Sequence, residues 1–348
     1  MHEAEGILYL CRREVEALCQ KIDSVAIIRE MFRLHGNGES NLPDEAYLGW
    51  RNIQNEPVRS LNMPGYLGGP WNFAGTKIIN GNIANPKRGL PRANGLTILY
   101  DPLSVRPLCI MEGAYLSSLR TASVSALAVD LFYGRPITCL AIIGAGVLAQ
   151  AHIELLLQRL STLQTITIFD TDPTRITALQ QTLEPALQRS NVSLQAVASA
   201  EDAIRSAQLI IPTTTTTTGY IQFSWLQPGA ILVNISLDDA LPEVFFQANL
   251  VVVDDWKLVK NDSHRMIGRL YREGLALGPD EAGTVPARRA RKVDAEIGDI
   301  VVGTKQGRKT AEDIILVNPF GLAIEDIALA GHVYQLALEQ GLGMSLER

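Results

Sequence analysis

Cysteine is scarce in this chain. Its 348 residues hold only Cys11, Cys19, Cys109 and Cys139, with no Cys-x-x-Cys pair and no metal-ligand spacing. That pattern argues against a disulfide scaffold or a structural zinc site and suits a reduced, cytoplasmic protein. The histidines, His2, His35, His152, His264 and His332, show no ligand spacing either, so no metal is expected. Long apolar runs are missing: nothing approaches the roughly 18 uninterrupted apolar residues of a membrane span. A signal-peptide pattern is missing too, because Arg12, Arg13, Glu14 and Glu16 follow the short apolar run 7–11 too closely. Positive charge is not in excess. The net charge is −6, which argues against a nucleic-acid partner. One basic cluster, Arg288, Arg289, Arg291 and Lys292, lies among acids and reads as a solvated surface face.

What remains is ordinary globular composition, 47% hydrophobic and 20% charged, in a chain long enough for two domains. The most informative stretch is 138–149, Thr-Cys-Leu-Ala-Ile-Ile-Gly-Ala-Gly-Val-Leu-Ala. An apolar strand runs into Gly144-Ala145-Gly146 and then into a helical pattern beginning at Val147 and Leu148. Gly144 allows a tight turn, Gly146 lets backbone approach a pyrophosphate, and Ala149 keeps the helix close to the sheet. N–H groups at the helix start would face the phosphate charge. A second strand, 165–169, ends in Asp170, 26 residues after Gly144. A carboxylate there can accept ribose hydroxyls and repel a 2′-phosphate, which favours NAD over NADP. The alternative is an ordinary glycine turn in an α/β sheet.

Strands are expected at 138–143, 165–169, 192–197, 208–212, 230–235 and 250–254, alternating with helices. Alternation of this kind implies a doubly wound parallel (Rossmann) sheet. Ahead of it lie a short strand, Ile7–Leu10, helical spacing over 12–35 broken near Asp23-Ser24, and β-like runs with turns over 57–111. A small-residue helix is expected at 119–133, and a late strand at 313–317 precedes a long amphipathic helix, 321–341. Residues 274–310 carry no readable period. The fold class is therefore α/β, a Rossmann domain plus a second α+β domain.

Six threonines, 213–218, follow the fourth strand at the sheet's carboxyl edge, where Thr213 and Thr214 can meet a dinucleotide. A polar loop of β propensity is the plainer reading. Four cations, Arg59, Lys77, Arg92 and Arg120, are candidates for holding carboxylates, although each alone reads as a surface charge. Asp238 and Asp239 follow the fifth strand directly and are the acid/base candidates, with a helix cap as the alternative.

Several stretches together resemble one family. They are Gly113-Ala-Tyr-Leu-Ser-Ser-Leu-Arg-Thr-Ala122, the glycine turn, Phe169-Asp-Thr-Asp-Pro173 and Asn234-Ile-Ser-Leu-Asp-Asp239. The chain is similar over about residues 55–340 to the ornithine cyclodeaminase/μ-crystallin family. Runs at 87–99, 109–115, 254–256 and 318–327 are most similar to its diaminopropionate-forming dehydrogenases of siderophore pathways. That branch oxidises N-(1-amino-1-carboxy-2-ethyl)-glutamate with NAD to 2-oxoglutarate and L-2,3-diaminopropionate.

The resemblance implies a homodimer. It also implies a substrate and dimerisation domain from 1–117 with 318–348, and an NAD domain over 118–317. It places Arg59, Lys77 and Arg120 on substrate carboxylates, Asp239 as the catalytic aspartate with Lys77 beside it in the reaction, and Thr121 with Gly144–Leu148 on the cofactor. Arg92, and Leu237-Asp238 where cyclodeaminases carry glycines, depart from the ornithine pattern. Four cations would over-supply positive charge for ornithine, whereas three carboxylates would offset them. Ornithine cyclisation, imine reduction and a non-enzymatic nucleotide carrier remain the alternatives.

Overall fold

The computed structural model describes residues 6–281 and 290–347. The chain divides into two compact units, Met1–Arg120 with Leu322–Arg348, and Thr121–Gly321.

The second unit is built on an eight-stranded sheet in the order Ser193–Ala196, Thr165–Phe169, Cys139–Ile143, Leu209–Pro212, Ile231–Val233, Ile315–Val317, Leu250–Val253, Ala295–Glu296. Every neighbouring pair is parallel. Cys139–Ile143 is buried at all its positions, which is why it reads as a continuous apolar run rather than an alternation. The strand order reverses direction between Cys139–Ile143 and Leu209–Pro212. The carboxyl ends of those two strands therefore open on the crevice where such folds bind ligands.

Within 274–310 the described residues contribute a two-strand pair, Ala276–Leu277 with Arg291–Lys292, the sheet's edge strand Ala295–Glu296, and the helix Ile297–Val302. Strands of two residues are too short to show a period, so the sequence could not reveal them. Arg288 and Arg289 lie outside the described residues. Arg291 is not simply solvated: it pairs with Asp294 at 2.7 Å.

The first unit holds a second sheet, in the order Met344–Leu346, Ile7–Leu10, Pro107–Glu112, Ala93–Tyr100, Phe73–Asn82, Pro57–Leu67, Ser40–Asn41. The strand Ala46–Arg51 also pairs with Pro57–Leu67. It is antiparallel except where Ile7–Leu10 meets Pro107–Glu112. The helix Ala323–Gln340 lies on one face, across the strands Pro57–Leu67, Phe73–Asn82 and Ala93–Tyr100. The approach is close: a Cβ on Gly331 would overlap the Phe73 ring. By strand alternation, Leu48, Trp50 and Leu96 share the other face, and all three are exposed.

The helix expected at 119–133 begins earlier, as Ala114–Phe132. The Glu112 carboxylate accepts the N–H groups of Ala114 and Tyr115, each at 3.0 Å, and so caps it. Arg120 thus stands within the helix rather than at its start. No helix among the described residues is long and apolar enough to cross a membrane.

Candidate active site

In the second unit, Gly144 has φ +95°, where an L side chain is strained, and a Cβ there would also sit 3.0 Å from the Thr213 carbonyl oxygen. Its N–H donates to the Phe169 carbonyl at 2.7 Å, which ties the turn to the neighbouring strand. No atom lies within 4 Å of a Cβ placed on Gly146. Gly146 precedes the helix Val147–Arg159, and no side chain caps that helix. Its first N–H groups are therefore available to an anion. Ala149 is fully buried, as close helix–sheet packing requires, while Val147 is exposed and Leu148 half-buried. Asp170 accepts the Ala145 N–H at 2.7 Å on one oxygen and the Asp172 N–H at 2.8 Å on the other. The carboxylate thus braces the turn and keeps lone pairs for ribose hydroxyls. These features fit a dinucleotide.

The threonine run does different work from that expected of free hydroxyls. Thr213 turns its hydroxyl to the carbonyls of Ile143 and Gly144, at 3.1 and 2.9 Å. Thr214 donates to Asp239 Oδ1 at 2.6 Å. Thr121 is half-buried in the helix Ala114–Phe132, and its carbonyl accepts from Ser125 at 3.3 Å.

Asp239 is 0% exposed. Its Oδ1 accepts the hydroxyls of Thr214 and, at 3.0 Å, Tyr220. Its Oδ2 is buried without a hydrogen-bond partner. Burial pushes the carboxyl above the usual aspartate value, and the hydroxyls of Thr214, Tyr220 and Ser236 only partly oppose it. Burial, then Asp239 itself, keep the Tyr220 phenol protonated and donating. The neighbouring Asp238 has donors on both oxygens. It takes Arg265 Nη1 at 3.0 Å on Oδ2, and the Met266 N–H at 3.1 Å with Arg269 Nη2 at 3.4 Å on Oδ1. Between Asn234 and this pair, the buried Leu237 adopts φ +76°. That left-handed conformation explains why glycine is the easier residue there.

In the first unit, Lys77 is 1% exposed and donates to Asp326 Oδ2 at 2.8 Å. Arg120 donates to Glu325 Oε2 at 2.7 Å, and its Nε lies 3.4 Å from Asp326 Oδ2. Glu325 and Asp326 stand in the first turn of Ala323–Gln340, both fully buried. Glu325 Oε1, Asp326 Oδ1 and Thr97 Oγ1 are buried without hydrogen-bond partners. Thr97 is the direct cross-strand neighbour of Lys77. Burial, then Arg120's like charge, pull the Lys77 ammonium below its usual value. Burial, and the neighbouring Asp326, hold the Glu325 carboxyl above the usual range against the pull of Arg120.

This corrects the charge argument made from sequence. Two of the four cations are already offset by two buried carboxylates, so Lys77 and Arg120 do not over-supply positive charge. Arg59 stands further along the same sheet. Lys77 pairs with Met63, whereas Arg59 pairs with Gly81, four positions along the same ladder. At about 3.4 Å per residue that is about 14 Å along the strand. Arg59 lines an open cleft of about 290 Å³ with Trp50, Asn80, Asn82 and Asn94. Arg92 keeps an exposed surface but is crowded by protein, and lost hydration, then the like charge of Arg59, lower its pKa.

Sequence reasoning missed Glu325, Asp326, Thr97 and Tyr220. The Glu-Asp pair did leave a signal: two adjacent carboxylates directly ahead of the uncharged run 327–331. Among the described residues no cluster of His, Cys, Asp or Glu could hold a metal.

The chain is 31% identical over 345 residues to N-((2S)-2-amino-2-carboxyethyl)-L-glutamate dehydrogenase of Staphylococcus aureus (strain NCTC 8325 / PS 47), covering 98% of each chain. Its structure matches the crystal structure of CmnK with a TM-score of 0.88 at 32% identity, covering 98% of both chains. It matches an archaeal alanine dehydrogenase dimer with bound NAD at a TM-score of 0.79 and 27% identity, covering 98% of this chain and 99% of that one. Residues 7–341 fit the family pattern as a whole, and the chain belongs to the ornithine cyclodeaminase/mu-crystallin family.

Proposed function

We propose that this protein is an NAD-dependent dehydrogenase of an amino-acid conjugate, N-((2S)-2-amino-2-carboxyethyl)-L-glutamate. Water cleaves the oxidised conjugate to 2-oxoglutarate and L-2,3-diaminopropionate, in siderophore or related biosynthesis. The observation that carries the chemistry is Asp239: a carboxylate with one oxygen fixed by two hydroxyls and the other buried and unpaired. NAD, when bound, supplies the hydride acceptor. The second unit holds it through the Gly144–Ala145–Gly146 turn, the first residues of the Val147–Arg159 helix, and Asp170. Asp239 then accepts a proton through Oδ2 and orients the water that hydrolyses the substrate imine. The first unit supplies the carboxylate grip through Lys77 and Arg120, with Arg59 and Arg92 for further carboxylates of a three-carboxylate substrate. The named activity of the staphylococcal relative supports this choice.

Ornithine cyclisation is the second reading. The internal neutrality of the Lys77–Arg120 cluster favours it, because such a cluster does not repel a substrate with a distal cation. The assay that decides is NADH formation from the conjugate, set beside proline and ammonia formation from ornithine. NADH with 2-oxoglutarate supports the dehydrogenase. Proline from ornithine transfers the assignment, reductive turnover of cyclic imines makes the enzyme an imine reductase, and NADH binding without turnover leaves a carrier. The exposed Leu48, Trp50 and Leu96 face further supports a homodimer formed through the first unit's sheet.

A further inference from the structure

The buried cluster of the first unit holds two cations and two carboxylates, Lys77 and Arg120 against Glu325 and Asp326, with no surplus charge. Four groups balanced in this way cannot take in another negative charge cheaply. A substrate carboxylate arriving at Lys77 and Arg120 would leave the cluster one negative charge in excess, out of water. The excess can be removed by one proton. Glu325 is placed to take it, because its Oε1 is fully buried and has no hydrogen-bond donor, while Oε2 keeps Arg120 at 2.7 Å.

We propose that Glu325 is a positioning residue that becomes neutral when a substrate carboxylate binds, so that carboxylate binding and uptake of one proton are a single linked event. The inference rests on the reading of Lys77 and Arg120 as the carboxylate grip.

The surroundings favour Glu325 over its neighbours. The charged groups facing it are Arg120, from the helix Ala114–Phe132, and Asp326, on its own helix, with Lys77 on the strand Phe73–Asn82 behind them. The strand Ala93–Tyr100 adds only the uncharged Thr97. Asp326 bridges Lys77 and Arg120 through one oxygen, so protonating it would weaken both cations' partner at once. Of the two cations Glu325 serves only Arg120, and besides it only the Leu322 backbone N–H favours its ionised form. Burial already raises its carboxyl, and a second anion nearby pushes in the same direction. Once neutral, Glu325 leaves Arg120 with charge to give the incoming carboxylate, and its O–H becomes a donor.

Calorimetric titration of 2-oxoglutarate into the NADH-saturated enzyme, in two buffers of different ionisation enthalpy, tests this. 2-Oxoglutarate itself does not titrate near neutral pH. The wild type should take up about one proton per ligand, and its affinity should fall up to tenfold per pH unit as pH rises. Glu325→Gln should bind without proton uptake and with a flat pH dependence, whereas Asp239→Asn should keep the uptake. Binding without uptake in the wild type, equal uptake in Glu325→Gln, or loss of uptake in Asp239→Asn overturns the proposal while the carboxylate grip stands. Absence of binding sinks both. If Glu325→Gln does not fold, absence of uptake in the wild type, or its loss in Asp239→Asn, still overturns the proposal.

Discussion

Asp238 and Asp239 are adjacent in the chain and share no hydrogen-bond donor. Asp238 is held by Arg265, Arg269 and the Met266 N–H, whereas Asp239 takes two hydroxyls on one oxygen and leaves the other buried and unpaired. A carboxylate with both oxygens tied to donors holds structure, and one with a buried oxygen idle can do chemistry. Asp239→Asn should therefore lower kcat by about 10²–10⁴-fold while leaving NADH affinity within error. Asp238→Ala should act on the fold instead, through loss of charged hydrogen bonds worth about 1.5–3 kcal/mol. Thermal unfolding and steady-state kinetics on both variants separate the two roles. Full activity in Asp239→Asn would remove it from the mechanism.

The acid limb of kcat/KM should report Asp239. Its carboxyl is raised by burial, so the active, ionised form should appear only above the pH range of an ordinary aspartate. The Tyr220 hydroxyl stabilises that ionised form, so Tyr220→Phe should move the limb to higher pH. A shift to lower pH, or none, would show that the phenol does not tune the carboxylate.

Asp170 has two tasks, bracing the glycine turn and meeting the ribose. Asp170→Ser should weaken NADH binding by roughly one order of magnitude, the scale of a lost charged hydrogen bond. It should also raise the ratio of NADPH to NADH affinity, because the repulsion of a 2′-phosphate is gone. Fluorescence titration with both nucleotides measures this, and an unchanged ratio would remove Asp170 from cofactor selection.

Lys77→Met should destabilise the first unit by about 3–5 kcal/mol, because it leaves Asp326 buried without its closest cation. Lys77→Met combined with Asp326→Leu should recover much of that loss, since an apolar pair can replace a buried ion pair. Chemical denaturation of both variants gives the coupling energy. Additive losses would show that the pair is not coupled.

The sequence was most legible where one residue type serves one local purpose. Gly144 could be assigned because only a residue without a Cβ tolerates φ +95° against the Thr213 carbonyl, and the strand before it because burial on both faces leaves it wholly apolar. Asp239 was visible as a candidate through its distance from Asn234 and through likeness to the family. The buried partners of Lys77 and Arg120 were not, because they lie 249 and 205 residues away in the chain and nothing local announces that pairing. The four cations therefore looked like one uncompensated cluster. The helix start at Ala114 was hidden for a different reason: its cap is Glu112, a residue type that spacing alone does not mark as a cap.

Leu237 keeps its left-handed backbone at a cost of about 1–2 kcal/mol for a residue with a side chain. The ties next to it run from Asp238 to Arg265 and Arg269, whose side chains are 31% and 46% exposed. Attractions that reach into solvent weaken as ionic strength rises, while the apolar sheet behind them does not. Concentrated salt should thus loosen this one turn, and the alignment of the carboxylate after it, long before the protein as a whole begins to melt.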